Sequence, residues 1–358
     1  MEKKLRVAVI GTGGMGSFHV KWWSQNERAE IVALCDLKPE KCVKALEKAG
    51  LSPDIPVYDD FKQLIDTETL DAVDIYTSND FHSIIAVYAF EKGLNVFSEK
   101  PDAINASEAL RMKEASEKAG KVLMVMRNNR YYSNSKYLKQ FIEDGKAGEI
   151  YCGRCGWIRR RGIPGRGGWF TTKAKSGGGP LIDLGVHMID LSIWLMGNPT
   201  PVSVSGCTYS KFANNTAKSD SEHSAFGEKA ENGTFDVEDL AIGFIRFDNG
   251  ASLQIEFSWA SNIEKEKRFV ELRGTKAGFT WNDDGTCGIW TEDGHGTLTD
   301  LKPYTGEMGS GHARALEHFT RIVLDGDKPD YVPQQGINMI KILDALYESA
   351  KTGHEVRL

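Results

Sequence analysis

The run Leu5-Arg6-Val7-Ala8-Val9-Ile10-Gly11-Thr12-Gly13-Gly14-Met15-Gly16 is a short apolar strand that ends in G-x-G-x-x-G. A glycine pattern says little by itself in a chain with 37 glycines. Its context says more. The strand feeds directly into the loop, the loop opens a helix, and Asp36 ends the next strand about 20 residues on. That combination predicts a dinucleotide-binding turn. Gly11 allows the tight bend, Gly13 lets the backbone approach a pyrophosphate, and Gly16 lets helix pack on strand. The helix N-terminus favours the phosphate charge, so Thr12, Gly14 and Met15 join the predicted cofactor loop. Asp36 is placed to accept from a ribose 2′-hydroxyl and to repel a 2′-phosphate. NAD is therefore expected as cofactor, with NADP left open by Lys38 nearby.

Working outward, the first 126 residues alternate strand and helix. Strands are predicted at 5–10, 31–35, 56–58, 72–76, 95–98 and 122–126, with helices between them at 15–25, 39–49, 61–66, 81–91 and 106–118. That rhythm implies a doubly wound parallel sheet with right-handed crossovers, an α/β Rossmann domain over 1–126. Loops at the carboxyl ends of such strands line the ligand crevice. Ser78, Asn79 and His82 after the fourth strand, and Glu99 and Lys100 after the fifth, are the cofactor contacts this predicts. A capping or surface role explains His82 as well, and a solvated side chain explains Lys100.

Beyond Met126 the pattern changes to a run of strand-like segments, with Asp248-Asn249-Gly250 as a hairpin turn. Residues 127–358 are expected to form an α+β domain with an open, mostly antiparallel sheet and helices on one face, serving substrate binding and oligomerisation. Its open face would expose alternating apolar residues, either Ala241, Gly243, Ile245 and Phe247 or their opposite-face neighbours. A homodimer or homotetramer through this sheet is expected to cover them.

The most unusual element of this second domain is a nearly all-apolar helix over 177–197. Asp183, His187 and Asp190 sit at i, i+4 and i+7 and share one stripe. Burying such a row is costly unless its members bond each other or a ligand. A satisfied core network, a metal site and an active site all remain open on that pattern. No third and fourth metal ligand is evident, so no metal is expected. Cys152 and Cys155 form C-x-x-C within a probable strand and are expected to be structural.

The net charge of −6 argues against nucleic acid and anionic membranes as partners, and no apolar run is long enough for a membrane span. The N-terminal apolar run is too short for a signal peptide, so a cytoplasmic location is expected. Two further segments stand out. Residues 159–176 are basic and glycine-rich, with Trp169 as a candidate for packing on a sugar face; a solvated loop or a subunit contact is the plainer alternative. Residues 211–235 are polar, a lid or a surface excursion.

The glycine loop, Glu99-Lys100-Pro101 and the stretch 177–190, taken in order, resemble the family of glucose–fructose oxidoreductase and inositol dehydrogenase (Gfo/Idh/MocA) over essentially the whole chain. The resemblance implies oxidoreductase chemistry on a small-molecule sugar, cyclitol or related polyol with NAD or NADP. It matches Lys100 to the family's E-K-P lysine, and Asp183 with His187 to its D-x-x-x-H pair. These three are the expected catalytic and substrate-binding residues. It also matches Arg127–Tyr131 to a segment that touches nicotinamide or substrate, which adds Asn128 as a cofactor contact and Arg130 and Tyr131 as substrate contacts. Ser78 stands where a typical member has proline. His187 titrates near neutral pH and is the expected base. Asp183 would bond a neighbouring hydroxyl, and Asp190 would support the imidazole from behind. Because the family also holds redox-assisted glycoside-cleaving enzymes and non-catalytic NAD-binding regulators, both remain alternatives to a dehydrogenase.

Overall fold

A computed structural model describes residues 3–213, 224 and 226–358. These residues fall into two compact units: Met1–Met126 with His312–Ile337, and Arg127–Gly311 with Asn338–Leu358. The stretch 312–337 thus groups with the first unit, whereas the expected division put it in the second.

The first unit runs β1 (Leu5–Ile10), α1 (Gly16–Ser24), β2 (Ala29–Cys35), α2 (Pro39–Ala49), β3 (Val57–Tyr58), α3 (Phe61–Thr67), β4 (Ala72–Ile75), α4 (His82–Glu91), β5 (Asn95–Ser98), α5 (Ala106–Ala119) and β6 (Leu123–Val125). The strands are parallel and lie in the order β3-β2-β1-β4-β5-β6, the doubly wound arrangement. β1, β4 and β5 are buried almost throughout, as strands covered on both faces must be. The helices have local reasons to start and stop. Asp60 and Asn105 accept from backbone N–H groups in the first turns of α3 and α5, while Gly50 and Gly120 end α2 and α5 in the left-handed conformation. The later segment 312–337 joins this unit through its own packing. Phe319 is fully buried against Trp23 and Phe97, and Arg28 makes a two-pronged ion pair with Asp325.

In the second unit α6 (Ser133–Glu143), β7 (Ile150–Ile158), the short α7 (Lys173–Ser176) and α8 (Val186–Leu195) precede the strand-rich part. Then come β8 (Pro201–Tyr209), β9 (Leu240–Phe247), β10 (Ser252–Ser258), β11 (Lys267–Gly274), β12 (Ala277–Asn282), β13 (Cys287–Glu292) and β14 (Leu298–Leu301). Helices α9 (Gly311–Asp325) and α10 (Pro333–Thr352) and strand β15 (Val356–Arg357) end the chain. The sheet has nine strands in the order β14-β13-β12-β11-β7-β10-β9-β8-β15, and its one parallel pair is β7 with β10. One face is core: Cys155, Ala241, Ile245, Leu253, Ile255, Phe257, Val270 and Leu272 are buried there. On the other face Ile242 and Phe244 are exposed, beside an Arg154–Glu271 ion pair. The open face therefore carries the alternate set of β9 residues, and Ala241, Ile245 and Phe247 point inward. Part of the 211–235 segment lies outside the described residues.

Candidate active site

In the first unit the glycine loop has the geometry its sequence demands. Gly11 has φ +94°, and a Cβ there would fall 2.2 Å from the Tyr76 carbonyl oxygen. A Cβ on Gly16 would strike the Gly11 carbonyl at the same distance. By contrast, a Cβ on Gly13 would meet nothing within 4 Å, so the approach to its backbone is open. No side chain caps α1, which leaves its positive end for an external anion. Asp36 is held by two backbone donors: Thr12 N–H reaches Oδ2 at 2.8 Å and Lys38 N–H reaches Oδ1 at 3.0 Å. Thr12 Oγ1 also donates to Oδ2 at 3.4 Å, while Oδ1 keeps a second acceptor direction, so the pinned group still fits a ribose hydroxyl. The open backbone at Gly13, the uncapped helix and the fixed carboxylate together fit an adenine dinucleotide.

The other residues of this unit expected to contact the cofactor also have partners within the protein. His82 is fully buried, with Nδ1 3.0 Å from the Pro101 carbonyl and Nε2 3.4 Å from the Thr77 carbonyl. Burial pushes its pKa down, against the two carbonyls and Glu99, which favour the charged ring. His82 ties the loops that carry Thr77 and Pro101 together. Ser78 donates to Asp80 at 2.6 Å, and Asn79 is buried in the short helical turn that follows. Glu99 is also buried, and its Oε2 accepts from the backbone N–H of Lys100 at 3.0 Å. The Glu99 carboxylate therefore helps to position the lysine's backbone. The Lys100–Pro101 peptide is cis.

A buried charge network behind Glu99 was not expected from the sequence. His19 is fully buried, with Nδ1 2.7 Å from Asp74 Oδ2 and Nε2 3.5 Å from Glu99 Oε1, and Trp23 donates to the same Asp74 oxygen at 2.7 Å. Burial pushes the His19 pKa down, but Asp74 and then Glu99 outweigh it and raise the value to about 9. Burial likewise pushes Glu99 up, and His19 outweighs it, holding the carboxyl below the usual range.

In the second unit the ionisable row starts on a π-helical turn, Leu181–Gly185, that leads into α8. A buried carboxylate from the loop before β9 anchors that start. Glu238 accepts from Gly179 N–H at 2.9 Å, from Leu181 N–H at 3.1 Å and from the Tyr347 hydroxyl at 3.0 Å. A Cβ on Gly178 would overlap the Tyr347 hydroxyl, and one on Gly179 would overlap the Glu238 backbone. Glycines are thus required where the chain passes this clamp. Beyond it, Asp183 is half-buried and accepts from the Trp259 indole N–H at 2.9 Å. His187 is half-buried as well; its ring lies 5.8 Å from that of Trp157, and its carbonyl accepts from Asn129 at 3.2 Å.

Asp190 has a different task from the one expected. Arg127 Nε reaches Oδ1 at 2.9 Å, while Arg130 reaches Oδ2 at 2.8 Å through Nε and Oδ1 at 2.6 Å through a terminal nitrogen. This buried pair of ion pairs fixes the 127–131 turn on α8. The Asp190 carboxylate is committed to the two arginines and does not orient the imidazole. Arg130 is 1% exposed, and Tyr131 is buried under Lys136. Asn128 is buried with its Oδ1 unpartnered. Trp169 is stacked on Phe170 at 3.8 Å, which turns its ring to its own loop. The arginines of that loop are mostly occupied in it. Arg161 reaches the Ser261 carbonyl and Asn262, and Arg166 reaches the Phe212 carbonyl. Trp157, Trp259, Glu238 and Arg268, which surround the row, carry no local motif and were missed. Among the described residues no group of three or more His, Cys, Asp or Glu side chains could hold a metal ion.

Comparison with known proteins agrees with this geometry. Residues 5–127 match the family model described as "Oxidoreductase family, NAD-binding Rossmann fold", and residues 139–358 match "Oxidoreductase family, C-terminal alpha/beta domain". The chain is 34% identical to D-glucoside 3-dehydrogenase of Escherichia coli (strain K12), covering 99% of this chain and 97% of that protein. It is 25% identical to myo-inositol 2-dehydrogenase of Thermotoga maritima, covering 99% and 98%. Among solved structures it resembles GenD2 from gentamicin A biosynthesis, solved in complex with NAD, at a TM-score of 0.81 and 26% identity, covering 100% of this chain and 97% of that one. With family models matched over both units and a relative this similar along its whole length, the chain belongs to the Gfo/Idh/MocA family of NAD-binding oxidoreductases.

Proposed function

We propose that this protein is an NAD-dependent dehydrogenase that oxidises a hydroxyl of a sugar, cyclitol or related polyol. The observation that carries the reading is the row Asp183–His187, held on a π turn by Glu238 and Trp259 in a chain whose other unit carries the dinucleotide loop. Turns of this kind are enriched at functional sites. The relatives point the same way, one being a glucoside dehydrogenase and the other an inositol dehydrogenase.

Oxidation of an alcohol removes a proton from oxygen and a hydride from carbon. When bound, NAD accepts the hydride. His187 takes the proton, because imidazole titrates near neutral pH. Lys100, the family's E-K-P lysine by resemblance, supplies an ammonium that stabilises charge developing on a hydroxyl oxygen. Asp183, fixed through one oxygen by Trp259, accepts from a neighbouring substrate hydroxyl through the other. Asn128 offers its unpartnered Oδ1 as an acceptor to the cofactor. Gly11–Gly16 and Asp36 hold the pyrophosphate and the ribose.

Two further features belong to this proposal. The exposed Ile242 and Phe244 on β9 support a homo-oligomer formed through the open sheet face. The six free cysteines support a reducing, cytoplasmic location. Among the described residues no helix is long and apolar enough to cross a membrane.

The test is a spectrophotometric screen of NAD+ and NADP+ reduction with glucosides, free sugars, inositols and sugar acids. Steady accumulation of NADH with at least one of them is expected, with NAD+ preferred. Tight NAD+ binding with no turnover on the whole panel would overturn the reading in favour of a regulatory protein. A burst of NADH without accumulation would replace it with redox-assisted glycoside cleavage.

A further inference from the structure

We propose that Arg159 and Arg268 form a subsite for an anionic substituent of the substrate, a carboxylate or a phosphate carried by the sugar. The inference rests on the reading of His187 and Asp183 as substrate-binding residues, and it narrows the substrate class.

The two arginines come from neighbouring strands and meet at one indole. Arg268 lies directly opposite Trp157 in the β7–β11 register, and Arg159 follows Trp157 by two residues. Both guanidinium groups lie over the Trp157 ring, 5.0 Å and 4.2 Å from its centroid. The same ring is the neighbour of His187. Arg268 is tied to the row a second time. Its terminal nitrogen donates to Asn129 Oδ1 at 2.6 Å, and the Asn129 amide donates to the His187 carbonyl.

Neither arginine has a carboxylate within ion-pair distance among the described residues. Arg159 is 8% exposed, and its side chain donates to the Gly162 carbonyl at 3.2 Å. The Nε of each is buried without a hydrogen-bond partner. Burial pushes both pKa values below the ordinary arginine range. Asp183 and Glu266 oppose that shift for Arg159, as do Tyr132 and Asp283 for Arg268, while Arg159 itself adds to it for Arg268. Two desolvated positive charges that repel each other are expensive for the folded protein. The contrast with Arg127 and Arg130 is direct, since those share a buried carboxylate in the same unit. A neutral sugar would leave the charge on Arg159 and Arg268 uncompensated. An oxyanion beside them neutralises it through charge-assisted hydrogen bonds.

The experiment is calorimetric binding to the NADH-loaded protein of D-glucuronate, D-glucose 6-phosphate and D-glucose. It needs no turnover, so it is independent of whether the dehydrogenase reading holds. At least one of the two anionic sugars is expected to bind about tenfold or more tightly than glucose, with the advantage shrinking as salt rises. The carboxylate and phosphate arms show which oxyanion fits. In Arg268→Gln and in Arg159→Gln the advantage is expected to vanish while glucose affinity stays unchanged. Equal binding of all three sugars by the wild-type protein would overturn the proposal, even if the variants failed to fold. So would a variant that weakens anionic and neutral sugars alike.

Discussion

The indole N–H of Trp259 donates to Asp183 Oδ2 at 2.9 Å, and Trp259 is fully buried. One oxygen of the proposed substrate anchor is thereby fixed by a rigid, immobile donor. A hydrogen bond to a charged group contributes about 1.5–3 kcal/mol. Trp259→Phe keeps an aromatic ring in place and deletes the donor. We expect kcat/KM to fall roughly 10- to 100-fold with the fold retained. Steady-state kinetics alongside circular dichroism checks this, and unchanged kinetics would remove Asp183 from the account.

Asp190 joins Arg127 and Arg130 in the interior of the second unit. Removing its charge strands two buried guanidinium groups, and breaking a buried pair costs about 3–5 kcal/mol. Asp190→Asn is expected to lower the urea midpoint markedly while the folded fraction keeps its turnover. A normal midpoint with lost turnover would return Asp190 to a role behind the imidazole.

Glu238 satisfies two backbone donors and the Tyr347 hydroxyl at the start of the π turn. Glu238→Ala leaves these donors buried without an acceptor, at about 1–3 kcal/mol each. Loss of stability on the order of 3 kcal/mol or more is expected in equilibrium unfolding. A variant as stable as the wild type would show that the π turn does not depend on this clamp.

His19 gives the first unit a pH dependence. Its folded pKa, about 9, lies above the ordinary 6.5. Protonation therefore favours the folded state. The stabilisation is complete below pH 6.5 and is lost as pH rises through about 9. Its size is on the order of 3 kcal/mol. Urea midpoints measured across that window are expected to fall for the wild type and to stay flatter for His19→Gln. Parallel curves for the two proteins would contradict the buried ion pair.

Much of this was legible in the sequence, and the failures have physical causes. The strand-and-turn rhythm of 1–126 places all six strands because most are short, largely buried runs and the turns carry glycine or a polar cap. Leu5–Ile10 and Asn95–Ser98 coincide with the expected bounds. The two short edge strands, Leu298–Leu301 and Val356–Arg357, are too brief and too exposed to leave a periodic signal. The grouping of 312–337 with the first unit depends on Phe319 finding Trp23 and Phe97, a long-range packing event without a local pattern. The stripe of Asp183, His187 and Asp190 is visible from spacing alone, but its division of labour is not. Trp259 is 76 residues from Asp183, and Glu238 is 59 from Gly179. Spacing cannot tell a carboxylate that meets substrate from one that meets arginine.

The central claim is that Lys100 and His187 carry the chemistry. The most direct measurement is single-turnover hydride transfer to NAD+ in His187→Ala and Lys100→Ala, using a substrate identified by the screen, with folding confirmed for each. A positioned general base contributes roughly 100- to 10,000-fold. The account predicts that each variant binds NAD+ normally and loses at least about 100-fold in the rate of NADH formation. Near wild-type rates in both variants would contradict it.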